Sequence, residues 1–149
     1  MEERYLFKAK RIDNEEWVIG NLIASPTGDY EISNKCNNPP DCDPMWDKVV
    51  ITHKVDPTTI CQCTGLKDKN GKLIWENDIV KRNFYLYSSE AKYEEKENCG
   101  IVKYDKEYAR FGYQCSVFAM LSESKKHDTI EVIGNIFDNK ELLESEEKQ

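Results

Sequence analysis

Six cysteines (Cys36, Cys42, Cys61, Cys63, Cys99 and Cys115) and two histidines (His53 and His127) are the side chains of this chain best suited to metal or nucleophile chemistry. Their spacing argues against both uses. Cys36 and Cys42 lack the short Cys-to-Cys spacing of a zinc knuckle, and neither histidine falls in a His-x-His or His-Glu-x-x-His pair. Cys61 and Cys63 are expected to turn to opposite faces of a strand, which would be a poor chelate. No Gly-x-Ser-x-Gly elbow or familiar cysteine-protease signature places a base beside a nucleophile. The thiols therefore read as small apolar side chains, and no metal, cofactor or catalytic residue is expected.

Other constellations reduce to simpler explanations. Paired carboxylates such as Asp41 with Asp43 and Glu94 with Glu95 stand in polar sequence, where solvation explains them. Gly65 and Asn70-Gly71 could expose backbone donors to a phosphate, but neither phosphate-loop pattern occurs and no helix follows, so a hairpin turn is the better reading. Lys81 and Arg82 beside Phe84, Tyr85 and Tyr87 have the composition of a base-stacking strand. Packing in a core or between subunits is the commoner use of such aromatics.

The elements that must position these residues are mostly strands. Tyr5 to Lys10 and Glu16 to Ile23 read as two strands joined at Asp13-Asn14, and Tyr30 to Ser33 follows the turn Ser25-Pro26-Thr27-Gly28-Asp29. Residues 34–47, with Pro39-Pro40 and Pro44, read as an irregular loop. Val49 to Val55 is β-branched, and Thr58 to Thr64 leads into a hairpin at Asn70-Gly71, whose two residues are expected to take the positive φ of a tight turn. Ser88 to Asn98 reads as a short helix, from charges at i and i+4, or as a solvated loop. Cys99 to Asp105, Phe111 to Ala119 and Ile130 to Phe137 are further strands. A terminal helix is expected to start at Asn139 as its cap, with Leu142-Leu143 packing back.

Val18-Ile19-Gly20-Asn21-Leu22-Ile23 echoes Val132-Ile133-Gly134-Asn135-Ile136-Phe137. The simplest account is two buried strands in which Gly permits a bulge or a close approach.

The 149 residues suit one domain or two small subdomains, and eight Tyr, five Phe and three Trp supply burial that the sparse Leu and Val do not. The net charge of −7 is spread along the chain. Duplex binding needs clustered cations, so nucleic acid is not the expected partner, and an acidic surface could instead imitate nucleic acid toward a basic host protein. No apolar run reaches bilayer-spanning length and the first residues lack a secretory layout, so a cytoplasmic protein without membrane contact is expected.

The segment from Gln62 to Lys72, followed by Ile74-Trp75-Glu76-Asn77-Asp78-Ile79-Val80, resembles the signature of the YopX family of phage and prophage proteins. Glu131 to Asn139 with Glu141-Leu142-Leu143 resembles its closing motif, and Gly20 after an aromatic resembles its opening. Asn77 stands where the family has Gly, and Lys140 where Pro is common.

The resemblance implies an all-β, YopX-like fold of two different small β subdomains; the residues themselves place the break near 64–66, giving 1–64 and 65–149, and the second reads as a small SH3-like barrel with a short C-terminal helix. The resemblance also implies members that assemble into rings in phages or prophages of Gram-positive bacteria, and no catalytic residues. The motif and interaction candidates are Trp17, Gly20, Asn21, Thr64, Gly65, Asp68, Gly71, Asp78, Gly134 and Asn135. The expected function is that of an oligomeric, non-catalytic accessory protein in the bacterial host cytoplasm, bound to itself and to a host or phage macromolecule. The alternatives are a single-strand nucleic-acid binder using Lys81, Arg82, Phe84, Tyr85 and Tyr87, and an acidic nucleic-acid mimic.

Overall fold

A computed structural model describes residues 3–35, 50–87, 93–114, 118–121 and 124–144, which fall into two compact units, 1–63 and 64–149. The chain is mostly antiparallel β. In the first unit, β1 (Phe7–Lys10), β2 (Trp17–Ala24), β3 (Tyr30–Lys35), β4 (Val50–Lys54) and β5 (Cys61–Lys67) lie in the order β4-β3-β2-β1-β5. Alternation along β2 drives the packing: Val18, Gly20 and Leu22 turn inward while Ile19 and Ile23 face out. Ala9, Val18, Ile32 and Val55 form the core, with Phe7, Leu22, Tyr30 and Ile60 against them. At one corner the sheet curls back, and Ile12 donates its backbone N–H to the Lys54 carbonyl at 3.1 Å.

β5 runs on into the second unit, where β6 (Leu73–Trp75), β7 (Asp78–Tyr87), β8 (Tyr93–Asp105), β9 (Arg110–Gln114), β10 (Phe118–Met120), β11 (Asp128–Asn135) and α1 (Glu141–Glu144) follow. Here the sheet order is β10-β9-β8-β7-β11. A meander whose last strand returns to its first is the strand order of an SH3-like barrel. Ile74, Val80, Val102, Tyr113, Leu121 and Ile130 are its core.

Several sequence expectations change. Residues 93–98 are strand, neither helix nor loop, because cross-strand partners such as Tyr85↔Glu95 and Tyr87↔Tyr93 outweigh the charge pattern at i and i+4. The loop expected at 34–47 falls, beyond Lys35, outside the described residues, as do Cys36, Cys42 and Cys115. Cys61 and Cys63 do not point apart. Residues two apart on a strand share a face, and both thiols are buried.

The hairpin at Asn70-Gly71 is also built differently. Gly71 donates to the Asp68 carbonyl and Asp68 to the Lys72 carbonyl, and of the turn residues only Gly71 takes positive φ, at +81°. This is a type I turn closed by a glycine bulge instead of a two-residue turn. Asn139 does not cap α1 with its side chain. Its Oδ1 accepts from the Asn135 N–H at 3.1 Å, while its carbonyl accepts from Leu142.

Candidate functional site

The residues singled out in the second unit converge on its own backbone. Asp68 is buried, and its carboxylate accepts N–H bonds from Asn70 and Lys72 at 2.9 Å each and from Val132, across the unit on β11, at 3.0 Å. Burial alone would raise its pKa, but the Val132, Lys72 and Asn70 donors together hold it below the ordinary carboxylate value. One side chain thus shapes the hairpin and ties it to β11. The Thr64 hydroxyl donates to the Ile74 carbonyl and accepts from Leu66, beside Gly65 at φ +78°.

Asp78, also buried, accepts from the Trp75 N–H at 2.8 Å. The intervening Asn77 sits at φ +66°, a conformation that Asn tolerates in place of Gly. Asn135 accepts from Phe137 and Asp138, a turn held by its own side chain. Gly134 follows a register shift in β11, and a Cβ there would meet Asn139 Oδ1 at 2.5 Å.

In the first unit Gly20 is equally committed, since a Cβ would lie 2.0 Å from the Ser33 carbonyl oxygen. The echo between Gly20 and Gly134 is therefore one of close approach. Asn21 is exposed opposite Ser33, and Trp17 lies under the ammonium groups of Lys8 and Lys10, 5.0 and 5.4 Å from its ring centre.

The strand expected to stack bases is electrostatically occupied. Arg82 forms a bidentate pair with Asp128, its Nε at 2.6 Å, and also donates to the Tyr113 hydroxyl, which in turn reaches Asn98. The pair raises the Arg82 pKa and lowers that of Asp128. Lys81 meets Glu97 at 2.7 Å. Phe84 lies under the Arg82 guanidinium, Tyr85 packs edge-on against His127, and Tyr87 ends β7 opposite Tyr93. Among the described residues, no group of three or more His, Cys, Asp or Glu could hold a metal.

Among the described residues, two open surfaces stand out. The β7–β8 pairing runs on, among those residues, past the registers of its neighbours: that of β11 ends at Phe84 and that of β9 at Ile101. On this ribbon Tyr85, Leu86 and Tyr93 are 45%, 50% and 73% exposed. In the first unit a groove of about 320 Å³ lies between the β1–β2 turn and β4, lined by Arg11, Ile12, Asp13, Thr52, His53 and Lys54. Arg11 is held by Asp13 there. Neither surface was legible in the sequence. Arg11 and Lys54 meet through the Ile12–Lys54 backbone bond, which no local spacing announces, although the exposed Ile12 beside a charged turn was a faint signal.

Such a chain is an antiparallel β protein in which Thr64, Asp68, Asp78 and Asn135 hold turns through their side chains. Residues 6–144 match the family described as YopX protein, and the chain belongs to that family. A crystal structure of protein EF1440 from Enterococcus faecalis is similar over 92% of this chain and 96% of that one, with 24% identity and a TM-score of 0.45. No match is found among curated proteins. No helix among the described residues is long and apolar enough to cross a membrane.

Proposed function

We propose that this chain is a non-catalytic accessory protein of phage or prophage type, working in the bacterial cytoplasm, that self-associates through its β subdomains (1–64 and 65–149) and offers its loops to a host or phage macromolecule. The observation that carries this reading is the β7–β8 ribbon. A two-stranded ribbon is marginal in water by itself, and an open strand margin with exposed aromatic and aliphatic side chains offers another chain a template for pairing. Nucleic acid is not the partner in this reading, because Lys81 and Arg82 each already meet a carboxylate.

Native mass measurement at micromolar concentration tests it. A species larger than the 17.4 kDa chain is expected, and a lone 17.4 kDa species defeats the self-association reading. Affinity capture from host lysate then identifies the macromolecule that the oligomer holds.

A further inference from the structure

We propose that the open margin of β8 adds as a strand to the open margin of β4 in a second copy of this chain, with Glu95 received by the groove that holds Arg11, His53 and Lys54. This rests on the self-association put forward above and names the two surfaces that meet.

Both margins are described by their registers. Residues Val50 to His53 of β4 have a strand partner only on the β3 side among the described residues, and beyond them the Lys54 carbonyl is taken by Ile12. Residues Glu94 to Glu97 of β8 likewise pair only with β7 among the described residues, since the β9 register begins at Ile101. Strand addition supplies main-chain hydrogen bonds to both margins at once, and side chains then choose the partner.

Charge makes that choice. In the groove Asp13 is engaged by Arg11, which leaves the Lys54 ammonium with no ion pair among the described residues. On β8, Glu94 meets Lys96 at 2.9 Å and Glu97 meets Lys81 at 2.7 Å, which leaves Glu95 with no ion pair among the described residues. Lys54 and Glu95 complete each other across the contact. One symmetric alternative, β8 against β8 centred on Lys96, sets Glu95 opposite Glu97, and like charges directly opposed are unfavourable. In a head-to-tail assembly built on this contact, each copy gives β8 to one neighbour and β4 to another.

The test is charge reversal on the full chain, read by sedimentation and native mass. Lys54→Glu and Glu95→Lys are each expected to weaken association about tenfold or more while leaving the circular-dichroism spectrum unchanged. Mixing the two variants restores association: the two substituted positions face each other with their charges exchanged, and the native Lys54–Glu95 pair re-forms at the next contact. In a wild-type assembly of mixed isotope-labelled and unlabelled copies, a carbodiimide joins Lys54 to Glu95 between copies. If the wild type associates but the reversals leave it unchanged, or the mixture stays apart, this contact is overturned and self-association stands. A wild type that is monomeric throughout removes both.

Discussion

The turn around Asp68 and the ribbon of β7 and β8 belong to the same unit and use polar side chains in opposite ways. At the turn, one buried carboxylate serves three backbone N–H groups, and Thr64, Asp78 and Asn135 behave similarly. On the ribbon, Glu94, Glu95, Lys96 and Glu97 face solvent, and the strand carries them past its neighbours. The difference teaches that in this chain Thr64, Asp68, Asp78 and Asn135 serve the fold through backbone bonds.

The sharpest break of this contrast is Asp68→Ala. It strands three N–H groups around a buried site, and a loss of about 3–5 kcal/mol is expected in urea unfolding of the second unit. A loss below about 1 kcal/mol would show that the clamp does not hold the turn. Arg82→Ala comes next, at about 2–3 kcal/mol, since it leaves Asp128 half-buried without its guanidinium and the Tyr113 hydroxyl without one partner. Lys81→Ala removes an exposed pair and costs under about 0.5 kcal/mol. If Lys81 and Arg82 proved equivalent, the distinction between inward and outward cations along β7 would fail.

Acid sharpens the same comparison. The folded pKa values of Asp68 and Asp128 lie below the ordinary 3.8, so both contribute stability above that pH and lose it as the pH falls through their folded values. Thermal melts of the wild type should fall steeply below pH 3.8, and Asp68→Asn should melt lower at pH 7 with a shallower acid slope. Gly134→Ala forces its Cβ against Asn139 and is expected to cost about 1–2 kcal/mol. Tyr93→Ser, at the ribbon end, should change monomer stability by no more than about 0.5 kcal/mol while weakening self-association in sedimentation. A large loss of monomer stability there would mean that the ribbon is part of the core.

Much of the fold was legible. The strands of the first unit, the hairpin after Lys67, the strand from Asp78 and the short terminal helix lie close to where propensity and turn residues place them. The segment 93–98 was not, because charges spaced for a helix also suit a strand, and only the β7 partner decides between them. Of the candidate residues, Gly20, Gly71 and Gly134 were legible as glycines that need room or positive φ, whereas the commitment of Arg82 to Asp128 was hidden by a separation of 46 residues.

By itself the order of residues determined what acts within a few peptide units: where the chain alternates, where it turns, and which positions reject a side chain. Tertiary structure alone decided what acts across long loops. It brought the Asp68 carboxylate to the Val132 amide, set Ile12 against Lys54 to open a groove, and left Glu95 on a strand margin that pairs only with β7 among the described residues. Turn chemistry is local because the bonds and steric limits that define a turn join residues a few positions apart, while pairing between distant strands depends on which apolar faces are buried together.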